Sequence, residues 1–113
     1  MPAPENRFKS RLAAGEVLVG AWVAFADPYA AEITASAGFD WLLIDGEHGP
    51  NDLRSIMAQL RVIEASGTPA LVRLPMGEDW AIKQALDIGV QSLLIPFVES
   101  AADAARLVRA TRY

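Results

Sequence analysis

Four short apolar runs recur along the chain, at residues 17–25 (VLVGAWVAF), 39–44 (FDWLLI), 70–74 (ALVRL) and 92–98 (SLLIPFV). Each is followed by a segment with helical spacing or helix-start signals. This alternation constrains the fold more than any other feature of the sequence. Runs this short and this rich in β-branched and aromatic residues suit strands. The first is apolar enough to expect burial on both faces. Strands separated by helices pair in parallel through right-handed crossovers, so the chain reads as α/β.

The helices follow from their punctuation. Residues 6–14 form a short amphipathic helix, with Phe8 and Leu12 one turn apart and Gly15 as its stop. Asp27 caps a helix over 28–37 with Pro28 at its first position, and Gly38 ends it. Asn51 or Asp52 caps the next, whose Leu53, Ile56, Met57, Leu60 and Ile63 share one face. Gly67 and Pro69 close it. Residues 79–88 form a further helix ended by Gly89, and Ser100 caps the last, carrying Ala101, Ala105, Leu107 and Val108 toward the sheet. Two closed architectures accept such units. A doubly wound sheet wants about five strands, and a (β/α)8 barrel wants eight over roughly 250 residues. With 113 residues and four units, the pattern alone leaves both open.

Ligands bind at the carboxyl ends of parallel strands, so the residues that leave the runs carry the interest. The second run ends in Asp45-Gly46-Glu47-His48, two acids and the only histidine. An imidazole that titrates near neutrality beside carboxylates is a candidate general base, set against the plainer reading of a surface histidine. Asp45 has its own plain reading, a turn acid for Gly46. Arg73 interrupts an apolar strand, and a buried guanidinium needs an anion. A carboxylate substrate would serve, as would Asp45 or Glu47. Trp22 offers an apolar wall at the same rim, and Glu99 reads as an acid at a helix start.

Other chemistries are excluded by what the sequence lacks. It has no cysteine, hence no disulfide or thiol nucleophile. It has no Gly-rich phosphate loop and no Gly-x-Ser-x-Gly elbow. Lys9 and Lys83 fall on helices rather than strands, which argues against an imine and for a metal ion in any carbonyl chemistry. A net charge of −4 with no run of Lys and Arg argues against nucleic acid or an anionic membrane as partner. No stretch approaches the ~20 apolar residues of a membrane span, and the first residues lack a secretory apolar core. The expected compartment is the cytoplasm.

Several segments, in one order, bring a family into view: Gly20-Ala21-Trp22, Pro28-Tyr29-Ala30-Ala31-Glu32, Ala37-Gly38-Phe39-Asp40-Trp41, Ile44-Asp45-Gly46-Glu47-His48, Val72-Arg73, the run from Ile82 through Asp87 to Gly89, and Ala110-Thr111-Arg112-Tyr113. Across essentially the whole chain the sequence resembles the HpcH/HpaI family of metal-dependent pyruvate aldolases, most closely the 4-hydroxy-2-oxoheptanedioate aldolase branch. The resemblance implies a (β/α)8 TIM barrel, of which residues 1–113 would be the first four βα units of a single domain, with a short N-terminal helix. It implies reversible retro-aldol cleavage of 4-hydroxy-2-oxo acids to pyruvate and an aldehyde. His48 would be the base, Arg73 the holder of the pyruvyl oxygens, and Asp87 the acid that raises the basicity of the histidine. Asp87 lies late in its helix, at the far end from the rim, so it would meet His48 only from a neighbouring subunit; its plain reading is a solvated helix acid.

The resemblance also implies a divalent cofactor (Mg2+, Mn2+ or Co2+), a small 2-oxo acid as ligand and a homo-oligomer, commonly a hexamer. The expected metal ligands, a Glu and an Asp from later strands, lie beyond Tyr113. The chain is therefore expected to be an N-terminal half, inactive and self-associating by itself. Two alternatives stand beside it. One is a non-catalytic half-barrel that acts as a binding or assembly module. The other is a small flavodoxin-like domain, which would want acids after the first strand and a lysine after the last.

Overall fold

The computed structural model describes residues 2–113. Its elements run α1 (Arg7–Ala13), β1 (Gly20–Val23), α2 (Pro28–Ala35), β2 (Trp41–Asp45), α3 (Leu53–Ala65), β3 (Ala70–Arg73), α4 (Asp79–Asp87), β4 (Ser92–Leu94) and α5 (Ala101–Ala110). The strands pair in parallel in the order β1-β2-β3-β4. Chain order equals spatial order, as in a wall of a (β/α)8 barrel, and among the described residues no strand crosses to the other side as a doubly wound sheet requires.

Alternation along the strands divides the sheet into two faces. One carries Val23, Leu42, Ile44, Ala70 and Val72, all buried against Ala31, Ala35, Ile56, Leu60, Ile63, Ile82 and Ala85 of the helices. Each fully buried Leu or Ile there contributes roughly 1.5–3 kcal/mol. The other face carries Trp22 on β1, Leu43 and Asp45 on β2, Leu71 and Arg73 on β3, and Leu94 on β4. Register sets these in rows, Trp22 beside Leu43 beside Leu71, and Asp45 beside Arg73 beside Leu94. The residues singled out for chemistry thus lie on the face that the helices leave uncovered.

The amino end of that face is closed by α1. Asn6 caps this helix, its side chain accepting from Lys9 N, and donates to Gln91 O and Ser92 Oγ below β4. Phe8 meets the Trp41 indole edge-on, 6.0 Å between centroids. The indole lies so close over Gly20 that a Cβ there would come within 2.0 Å of it; only glycine fits.

Several boundaries differ from the sequence expectation. The first strand is not buried on both faces: only Gly20–Val23 pairs, and Val17 (90% exposed), Val19 and Phe25 stand in solvent. As the edge of the sheet, β1 has one neighbour, so its apolar flanks find nothing to pack on. The fourth strand stops at Leu94 because the chain turns away at Pro96, which has no N–H to offer a ladder, and at Phe97, whose φ is +57°. On α5 the buried residues are Leu107 and Ala110; Ala101, Ala105 and Val108 face outward, because α5 packs by one narrow stripe. On α3, Leu53 and Met57 are partly exposed, and Gln59 is fully buried with Ile56, Leu60 and Ile63. Asp52, not Asn51, is the cap, in a reciprocal pair with Ser55.

Candidate active site

The site is built where β2 and β3 end. The register places Asp45 directly beside Arg73, and their side chains meet fork to fork. Arg73 donates from Nε to Asp45 Oδ1 (2.9 Å) and from Nη2 to Oδ2 (2.7 Å). Its third nitrogen, Nη1, stands 3.2 Å from Glu47 Oε2. Two planar ions joined by parallel bonds form the strongest common ion-pair geometry. Both acids are buried at their side chains, 8% and 10% exposed, and Arg73 is 20% exposed. Trp22 covers the guanidinium from β1, with its ring centroid 4.6 Å from Cζ, a cation–π contact.

Asp45 is saturated. Besides the two bonds from Arg73, its Oδ1 accepts from the backbone N–H groups of Glu47 (3.0 Å) and His48 (3.2 Å). The Arg73 bonds, and after them the two backbone N–H groups, hold its carboxyl down to about 2 against the desolvation that would raise it. Arg73 is correspondingly pushed above its ordinary value by the same hydrogen bonds. A carboxylate engaged four times cannot serve as a base. Its work is to orient the guanidinium and to fold the loop that follows.

That loop is drawn tight against β3. Gly46 N donates to Arg73 O (2.8 Å), and a Cβ on Gly46 would stand 2.6 Å from the same oxygen. The turn lifts His48 out of the sheet: its side chain is 73% exposed, with Nε2 at 3.4 Å from Glu47 Oε1. Glu47 thus stands between the guanidinium and the imidazole. A guanidinium carries five N–H groups; Asp45 takes two and Glu47 faces the third nitrogen, which leaves at most two for a ligand's oxygens beside an exposed imidazole.

Trp22, Asp45, Glu47, His48 and Arg73 therefore come together, and Asp87 does not. At the C-terminus of α4, Asp87 accepts from the Tyr113 hydroxyl, and Lys83 lies over the Tyr113 ring at 3.9 Å. Glu99 is exposed just before α5. Two polar residues that the sequence did not single out for the site lie against it: Asn51, expected only as a possible helix cap, and Gln59. Asn51 donates from Nδ2 to Asp45 O (2.8 Å), and Gln59 donates from Nε2 to Asn51 Oδ1 (2.7 Å). The signal for Gln59 was a polar side chain in step with Ile56 and Ile63.

The fit of a divalent ion is decided by the donors. Among the described residues no three His, Asp or Glu side chains converge so as to hold one, and the two buried carboxylates face a guanidinium. These residues do not fit a metal by themselves.

The sequence model of the HpcH/HpaI aldolase/citrate lyase family matches residues 18–113. A hydroxypyruvate/pyruvate aldolase of Roseovarius nubinhibens is 65% identical over 113 residues, all of this chain and 44% of that protein. A 4-hydroxy-2-oxovalerate aldolase of Rhodococcus jostii is 55% identical over 114 residues, again with 44% of its length covered. The crystal structure of an HpcH/HpaI aldolase/citrate lyase family protein from Burkholderia cenocepacia superposes with a TM-score of 0.90 at 44% identity, over 96% of this chain and 44% of that one. The chain spans less than half the length of the relatives it matches.

Proposed function

Because the chain belongs to the HpcH/HpaI aldolase/citrate lyase family, we propose that it contributes the base and the guanidinium of an aldolase that cleaves 4-hydroxy-2-oxo acids to pyruvate and an aldehyde. The observation that carries this reading is the Arg73 fork, fixed by Asp45 and Glu47 under Trp22, beside an exposed His48. The named activities of the relatives share a 2-oxo acid, which is the class of ligand a guanidinium would hold.

Retro-aldol chemistry needs two things of such residues. A base takes the proton of the C4 hydroxyl as the C3–C4 bond breaks and the aldehyde leaves. The electron pair of that bond passes into the 2-oxo group as an enolate, whose negative charge must be met by fixed positive groups. His48 is the side chain placed for the first task, since its ring is exposed and a substrate can reach it. Arg73 suits the second, with an orientation set by Asp45, Glu47 and Trp22 before substrate arrives. Return of a proton to C3 then gives pyruvate. Trp22 closes one side of the pyruvyl position and limits water there.

The divalent ion that this chemistry commonly uses takes its ligands, in this reading, from outside these 113 residues, and residues 1–113 form the first half of one barrel domain. The test is cleavage of 4-hydroxy-2-oxo acids by the protein bearing this chain, followed as pyruvate release. His48→Ala is expected to lower the rate by roughly 10²–10⁴-fold. Undiminished pyruvate release by that variant sinks the base assignment.

A further inference from the structure

We propose that Asn51 and Gln59 are positioning residues, forming a strut from the helix core to the loop that carries the base. The catalytic side of this proposal rests on the reading of His48 above. The strut itself rests on geometry alone. Gln59 is fully buried on α3 among Ile56, Leu60 and Ile63. Its Nε2 donates to Asn51 Oδ1 (2.7 Å) and to Ser55 O (2.9 Å), and the Ser55 hydroxyl donates to the same Asn51 oxygen (2.8 Å).

Two donors on Oδ1 fix the orientation of the Asn51 amide. A flip would set its N–H groups against the Gln59 amide and the Ser55 hydroxyl proton, and its oxygen against a carbonyl. In the observed orientation Nδ2 must point at Asp45 O, where it donates at 2.8 Å. Asn51 N also donates to Gly49 O (2.8 Å), and a Cβ on Gly49 would come within 2.6 Å of Asp45 O. Residues 45–51 are therefore pinned at both ends, with His48 between them.

The strut carries a cost that argues for its purpose. Gln59 Oε1 is buried with no hydrogen-bond partner among the described residues. An unmet buried acceptor destabilises a fold, and an apolar side chain would pack at this site without that cost. Breaks of a local rule without a stability gain concentrate at functional sites.

Gln59→Met keeps the volume and removes both donors; Asn51→Asp keeps the shape and the acceptor but removes the donor to Asp45 O. In both, amide exchange at Glu47 and His48 is expected to quicken at least tenfold, with Leu42 and Leu43 unchanged, and Gln59→Met is expected to melt no lower than the parent. In the active protein, kcat should fall at least tenfold with KM unchanged. Unchanged loop exchange in both variants overturns the strut. So does exchange that quickens equally through the sheet, which marks a merely structural role. If the parent cleaves no 4-hydroxy-2-oxo acid, the reading of His48 fails, while the exchange data still decide the strut.

Discussion

At the scale of single residues, Asp45 makes the sharpest predictions. Its folded carboxyl lies near 2 against an ordinary 3.8, so between those values the unfolded chain binds more protons. The contribution is present in full above pH ~4 and is lost as pH falls through about 2, on the order of 2 kcal/mol. Asp45→Asn should flatten this acid limb in a series of melts from pH 5 to pH 2. It should also lower stability at neutral pH, because Arg73 loses its bidentate anion in a part-buried place and keeps only Glu47. Arg73→Lys keeps the charge but not the fork, and is expected to lower kcat by roughly 10²–10³-fold. His48, exposed and bonded weakly, should leave the unfolding free energy within about 0.5 kcal/mol of the parent's when changed to Ala, in a denaturant titration. That separates the proposed role as a base from any structural one.

At the scale of elements, the close contact of the β2–β3 corner decides what the site tolerates. Gly46→Ala places a Cβ 2.6 Å from Arg73 O, backbone that cannot swing aside, and should cost about 1–3 kcal/mol in a denaturant titration. Much of this level was legible beforehand. The Asp27-Pro28 and Ser100 helix starts carry local signals that need no tertiary partner. The parity that sets Leu43 and Asp45 on one face is also read from β2 alone. The offset that puts Arg73 beside Asp45 is not, because it depends on where one strand begins pairing with another. Nor could the sequence tell that the apolar run around β1 would end in solvent, since burial at an edge is decided by neighbours. Asn51 was read as a possible cap, and the competition with Asp52 is settled by the carbonyl of Asp45, which lies six residues back along the chain.

At the scale of the whole molecule, α2 to α5 cover one face of the sheet, while on the other α1 closes only the amino end and leaves the carboxyl-end rim open among the described residues. The accessible surface is 6948 Å², against about 6,100 Å² for a compact monomer of this mass. Trp22, Phe25, Leu94 and Phe97 are among the exposed apolar side chains, and β1 and β4 each offer an unpaired edge. The isolated 113-residue chain is therefore expected to associate as its concentration rises, in sedimentation velocity runs. A monomer that melts in one cooperative step would refute this. The same arrangement gives the Asp45–Arg73 pair a second significance, in assembly rather than catalysis. Were β3 to slip by one residue along β2, Arg73 would turn into the apolar layer; a slip of two would leave Asp45 facing Leu71. Either error strands a charge, a fault of roughly 3–5 kcal/mol, so the pair proofreads the sheet while it forms. Replacing both by Leu should leave the melting temperature near the parent's but lower the yield of uniquely folded protein on refolding, seen as doubled or broadened amide resonances along β3.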